Sequence, residues 1–118
     1  MINQEELQEY IAESIPELSG ICREHKCSNA HDIAREMIQY TNRQFIGQNI
    51  ASAKECLALA ENLYKSGNKV VRNAIENVFV YSFSHSFFCD EQKKKGLLAI
   101  LPTSLYVLYK QQLLASHL

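Results

Sequence analysis

The chain has 118 residues, of which 47% are hydrophobic and 21% charged, and its formal net charge at neutral pH is −1. These proportions are typical of one globular domain over residues 1–118 and exclude an intrinsically disordered chain. Basic residues gather only at Lys93–Lys95, so the sequence lacks the basic face that phosphate binding needs. We therefore expect no nucleic-acid partner.

The N-terminus is acidic and polar, unlike a secretory signal. The most apolar stretch, residues 96–115, is interrupted by Pro102 and Lys110, which leaves unbroken apolar runs of about five residues where a membrane span needs about 20. The sequence thus predicts a cytoplasmic protein without a membrane partner. In that compartment its four cysteines would stay reduced.

Long stretches without glycine or proline favour helices over short strands. The first helix is predicted over residues 3–14. Pro16 opens a second helix at a first-turn position, where its missing N–H is harmless, and that helix ends near His25. Ser28 or Asn29 then provides the N-cap of a third helix.

The third helix is predicted to stop at Gly47, and a fourth runs over about residues 50–66. Gly67 follows as the expected left-handed C-cap residue, and Asn68 as the next N-cap. From Lys69 to Phe88 apolar side chains occupy almost the whole circumference, which is typical of a central helix covered by its neighbours.

A turn, a short helix and a last helix over about Thr103 to Ser116 complete the chain. The sequence therefore predicts an all-α fold, either a bundle of five to six helices or HEAT-like helical pairs, around a central apolar helix.

Two cysteines and two histidines lie in the stretch "GICREHKCSNAH", at Cys22, His25, Cys27 and His31. A structural zinc site usually takes two ligand pairs held apart by a length of chain, whereas these four residues lie within ten positions. A helix C-terminus also favours a cationic imidazole, which explains His25 without a ligand. We interpret the stretch as a helix end and predict no metal and no cofactor.

Evidence for catalysis is slight. Cys56 and Cys89 stand in apolar surroundings, where free cysteine acts as a small hydrophobe. His85 precedes Cys89 by four positions and could meet it on a helix, but one helical face rarely supplies a complete catalytic site. No catalytic residues are predicted, and the sequence favours a protein without enzymatic activity while leaving the question open.

The central helix carries a polar row at intervals of four: Asn73, Asn77, Tyr81 and His85. Three interpretations remain open: a solvent-facing strip, buried structural hydrogen bonds, or a groove that binds a partner, for which tyrosine is a favoured anchor. The last helix is also unusually apolar for a terminal element, which indicates a protein contact, and a homodimer through this helix is the simplest form of it.

Residues 51–87 and the following "LLAILPTSLYVLYK" resemble a family of small uncharacterised all-helical bacterial proteins. The shared features are a G-[ND]-x-x-V turn at Gly67–Val71, a V-x-N-A-I-x-x-x-F core at Val71–Phe79, and the pair Leu101-Pro102. The resemblance implies a helical interaction module, and some similar proteins sit beside bacterial toxin systems, which implies immunity-type binding.

The leading hypothesis is thus a non-catalytic cytoplasmic protein-interaction module, immunity-like, that binds a protein partner through the polar row or the last helix. The alternative is a helical bundle that binds a small ligand or a metal.

Overall fold

The computed structural model describes residues 1–84 and 91–116, and helices dominate them. The predicted all-α fold is confirmed. A 3-10 turn at Gln4–Glu6 leads into the first helix. The helices are α1 (Leu7–Ser14), α2 (Pro16–Glu24), α3 (Ala30–Ile46), α4 (Ile50–Ser66), α5 (Lys69–Ala74), a π-helical turn (Ile75–Val80), α6 (Tyr81–Ser84), α7 (Glu91–Ala99) and α8 (Thr103–Ser116).

Local signals account for several of these boundaries. The side chain of Asn29 accepts a hydrogen bond of 2.8 Å from the Asp32 amide, and that of Asn68 accepts one of 3.1 Å from the Val71 amide. Each bond satisfies an amide that a helix N-terminus leaves without a helical partner. Pro16 occupies the first turn of α2 as predicted.

Gly67 departs from its predicted role. Its φ of −76° and ψ of 156° are extended, so the prediction of a left-handed C-cap is wrong. The extended backbone lets the N-terminal segment pair with it in an isolated parallel bridge. Ile2 donates its amide to the Ser66 carbonyl at 2.8 Å and accepts from the Asn68 amide at 2.7 Å.

The core forms where α3 packs against α2, α4 and the helix that follows Gly67. Each element contributes its apolar stripe, with Ile33 and Met37 from α3, Leu57 and Leu63 from α4, and Phe79 from the π-helical turn. The radius of gyration is 13.4 Å, close to the roughly 13.5 Å expected of a compact chain of this length. No helix among the described ranges is long and apolar enough to cross a membrane.

The segment from Lys69 to Ser84 is the predicted central helix, and it packs against α3, α4 and α8. Residues 85–88 of that prediction lie outside the described residues. The segment is not covered on every side, since Val70 and Tyr81 are among its exposed side chains. Its π-helical turn, with a wider hydrogen-bonding ring than an α-helix, buries both Phe79 and Val80.

Candidate interaction surface

The predicted polar row begins on α5 and continues through the π-helical turn into α6. Asn73 and Asn77 are exposed, and 48% of Tyr81 is accessible to solvent. Buried structural hydrogen bonds are therefore not the reason for the amides of Asn73 and Asn77. His85, the fourth member of the prediction, lies outside the described residues, as does Cys89 of the candidate catalytic pair.

A cavity of about 360 Å³ opens beside the first residue of the row. Its lining combines Met1 and Gly67 with four polar residues, most of them exposed: Lys69, Arg72, Asn73 and Glu76. The Arg72 guanidinium lies over the ring of Tyr64 at 5.0 Å from its centroid, a cation–π contact that fixes the direction of this side chain. The cavity is thus an open surface recess with a mixed polar and apolar lining.

The outer side of α8 is apolar and aromatic. Its inner side buries Leu105 and Leu108, whereas Tyr106 is 39%, Val107 47% and Leu114 69% exposed. Leu114 follows Val107 by seven residues and Tyr106 by eight, so all three lie along one side of the helix. The prediction that one small domain would leave part of this helix uncovered is confirmed by these exposures.

Cations accompany the aromatic rings of α8. The Lys110 ammonium lies 5.5 Å from the ring centroid of Tyr106, and the Lys94 ammonium of α7 lies 5.8 Å from that of Tyr109. Lys110 is the one charged residue within α8. The outer side of this helix therefore combines apolar surface with positive charge.

The polar row and α8 are neighbours. The π-helical turn and α6 both pack against α8, and the Gln112 side-chain amide donates a hydrogen bond of 2.8 Å to the Glu76 carbonyl. We call the exposed residues of the two elements the C-terminal face. It comprises Asn73, Asn77, Tyr81, Tyr106, Val107, Lys110 and Leu114.

The cysteine and histidine stretch is a helix end, as predicted. Cys22 is buried in the last turns of α2, His25 caps that helix, and His31 is exposed in the first turn of α3. Among the described residues, no group of three or more His, Cys, Asp or Glu side chains is placed to hold a metal ion. Cys22 and Cys27 do lie together, on either side of the turn that ends α2.

Sequence reasoning missed the partner of His25. Its Nδ1 lies 2.8 Å from Oε1 of Glu36, a carboxylate on the inner side of α3. The available signal was the position of Glu36 within the buried stripe of α3, between Ile33 and Met37, where a carboxylate needs a hydrogen-bonding partner. The pair joins the end of α2 to the middle of α3.

The fold and this surface define a small all-helical protein with an exposed aromatic, amide and lysine-bearing face. The chain matches the family described as "Domain of unknown function (DUF7674)" over residues 9–115 and belongs to it. No curated protein and no solved structure matches the chain.

Proposed function

We propose that this protein is an interaction module that binds a protein partner with an acidic surface through its C-terminal face. The proposal places it in the cytoplasm and gives it an immunity-type role, binding another protein without transforming it. The exposed apolar and aromatic side chains of α6 and α8 carry the proposal.

Exposure of this kind favours a binding role because a contiguous apolar patch on a protein surface commonly marks a protein–protein contact. Tyrosine contributes a large rigid surface and a hydroxyl group, which makes it a frequent anchor of protein interfaces. Tyr81 and Tyr106 both stand on the C-terminal face. Asn73 and Asn77 add amide donors and acceptors, which suit the polar rim of an interface.

Charge favours an acidic partner over a second copy of the chain. A two-fold dimer through the outer side of α8 would bring the same surface from each subunit together, and the Lys110 side chains of the two subunits would then share one interface. Like charges at an interface reduce affinity, whereas carboxylates of a partner would meet Lys110 favourably. The homodimer is the competing outcome of the test below.

The shape of the surface favours a macromolecule over a small ligand. Small-molecule sites are concave and mostly apolar, with a few convergent polar groups. The cavity beside Asn73 has a suitable volume but is an open recess at the surface, where Lys69, Arg72 and Asn73 of its lining are all exposed. The outer side of α8 has the apolar character but is convex, as the surface of any single helix is.

Site-specific photocrosslinking in living cells tests the proposal. A photoreactive phenylalanine derivative replaces Asn77 in one variant and Val107 in a second, both on the C-terminal face. The control variant carries it at Arg23, an exposed position of α2, which packs against α1 and α3. Crosslinked products are identified by mass spectrometry, and each identified partner is then purified.

We expect the same acidic protein to be crosslinked from positions 77 and 107 and not from position 23. Its purified complex should weaken on addition of salt and on the substitution Lys110→Glu, because both remove attraction between opposite charges. Crosslinking to a second copy alone would replace the acidic partner with a homodimer. Equal products from all three positions, or none, would remove the C-terminal face as an interface.

A further inference from the structure

The chain turns sharply where α2 ends, and the turn brings two cysteines together. The Cys27 amide donates to the Cys22 carbonyl at 3.0 Å, and the Lys26 amide donates to the Arg23 carbonyl at 3.1 Å. Lys26 has a φ of 55°, in the left-handed region. These two bonds and the left-handed residue define a Schellman motif, with a lysine at the position that glycine usually occupies.

The Schellman motif places a specific pair of side chains in contact. In this motif, the side chain three positions before the C-cap residue commonly packs against the side chain that directly follows the left-handed residue. Here these residues are Cys22 and Cys27, and Cys27 packs against the apolar cluster that contains Cys22. With one 3.0 Å hydrogen bond between their main chains, their Cα atoms are at most about 7 Å apart, within reach of a disulfide.

The two thiols differ in accessibility. Cys22 is fully buried, whereas Cys27 is partly exposed. In such an arrangement the accessible sulfur of Cys27 meets a reagent first, and the buried sulfur of Cys22 can then complete the disulfide.

The electrostatic surroundings of the two cysteines affect how fast their thiols react and how stable the resulting disulfide is. Burial, together with smaller contributions from the neighbouring Cys27 and Glu36, raises the pKa of the Cys22 thiol to about 12. Burial also raises the pKa of Cys27, while the hydrogen bond from the Cys22 thiol lowers it. Thiols with a raised pKa react slowly at neutral pH, and because their thiolates are unstable the disulfide they form resists reduction.

We propose that Cys22 and Cys27 are a redox modification site, at which a low-molecular-weight disulfide of the glutathione type converts the two thiols into an intramolecular disulfide. Cys27 loses its proton, attacks one sulfur of the small disulfide, and releases one small thiol after the leaving thiolate is protonated. Cys22 then loses its proton and attacks the Cys27 sulfur, releasing the second small thiol. The protein loses two electrons and two protons, and the small disulfide gains them.

Peptide mapping after oxidation tests the proposal on the natural chain. The reduced protein is incubated with oxidised glutathione, the remaining free thiols are blocked with N-ethylmaleimide in denaturant so that buried cysteines also react, and the protein is digested with trypsin. Arg23 and Lys26 lie between the two cysteines, so the digest separates peptide 1–23 from peptide 27–35. We expect a disulfide-linked pair of these peptides, from a monomeric protein that is about 2 mass units lighter than the reduced chain before the blocking step.

Two variants give matched controls. Cys56→Ala removes a buried cysteine outside the pair and should leave the linkage and its yield unchanged. Cys22→Ser should stop the reaction at a mixed disulfide of Cys27 with glutathione, since the thiol that closes the disulfide is absent.

Four results would overturn the proposal. Three of them are a stable glutathione adduct on Cys27 of the natural chain, a link from peptide 1–23 to the Cys56 peptide 55–65, and an intermolecular dimer. Full blocking of all cysteines by N-ethylmaleimide, at a glutathione ratio that oxidises a reference dithiol peptide, would equally refute it.

Discussion

The substitution Gly67→Ala is expected to destabilise the protein, although Gly67 has a backbone conformation that alanine adopts freely. Gly67 is buried where the N-terminal segment crosses the end of α4. A β-carbon at this position would overlap the Leu63 carbonyl oxygen and lie 2.6 Å from Cγ1 and 2.8 Å from Cβ of Val71. Main-chain atoms and the β-carbon of a helical residue cannot move aside as a flexible side chain can.

The magnitude follows from two opposing contributions. Overpacking in a rigid setting costs about 1–3 kcal/mol, and replacing glycine with alanine restricts the unfolded chain, which stabilises by about 0.4–1 kcal/mol. Taking the middle of each range, we expect Gly67→Ala to lower the free energy of unfolding by about 1.3 kcal/mol. The backbone hydrogen bonds around Ile2 should weaken with it, because the overlap pushes the segment apart.

Gly20→Ala is the matched control. Gly20 lies within α2, is exposed, and a β-carbon there would meet no atom within 4 Å. Alanine should therefore raise the free energy of unfolding by about 0.5–1 kcal/mol through helix propensity. Urea titrations followed by circular dichroism give both values, provided that the m-value stays constant. If Gly67→Ala leaves the free energy of unfolding unchanged or raises it, a β-carbon at position 67 does not clash as we infer, whatever the effect of Gly20→Ala on stability.

Three further predictions concern the core, the buried thiols and the polar row. Phe79→Ala should cost about 3–5 kcal/mol in urea unfolding because its ring is fully buried, whereas the exposed Val70→Ala on the same segment should change stability by less than about 0.5 kcal/mol. Burial raises the pKa of Cys56 from 9.0 to about 12, so the folded protein holds this proton more tightly and loses stability as pH rises from 9 to 12. Between pH 7 and pH 10 the free energy of unfolding should fall by about 1 kcal/mol less in Cys56→Ala than in the natural chain. An equal fall in the two proteins would contradict the burial of a protonated thiol. The free energy of unfolding of Tyr81→Ala should lie within about 1 kcal/mol of that of the natural chain, although the variant should lose partner binding. A fall of several kcal/mol in the free energy of unfolding would show that Tyr81 is a core residue instead.

Most of the fold could be predicted because helix boundaries depend on local chemistry. Asn29 and Asn68 cap their helices through bonds to amides three positions ahead, and Pro16 opens α2 from within its own turn. Such signals need no knowledge of distant residues. Gly67 was assigned the wrong conformation because its geometry depends on Ile2, which lies 65 positions earlier and pairs with it.

The C-terminal face could be predicted only in part, because local spacing can be read from the sequence whereas contacts between distant residues cannot. The spacing of Asn73, Asn77 and Tyr81 follows from helix periodicity, and the structure exposes all three. The contacts of Glu36 with His25 and of Gln112 with Glu76 join positions 11 and 36 residues apart. Periodicity along one helix contains no information on which neighbouring helix supplies the partner.

The π-helical turn shows how packing between helices can override the local pattern. In a regular α-helix the buried positions after Val71 and Ile75 would continue through Phe79, and Val80 would point away from that stripe. The wider turn at Ile75–Val80 brings Val80 into the core beside Phe79. Two side chains donate hydrogen bonds to main-chain carbonyls of this turn. The Ser82 hydroxyl donates to the Val78 carbonyl, and the Gln112 amide donates to the Glu76 carbonyl. Since the turn also carries Asn77 of the polar row, the demand for core packing at Val80 sets the direction in which the C-terminal face presents its amides.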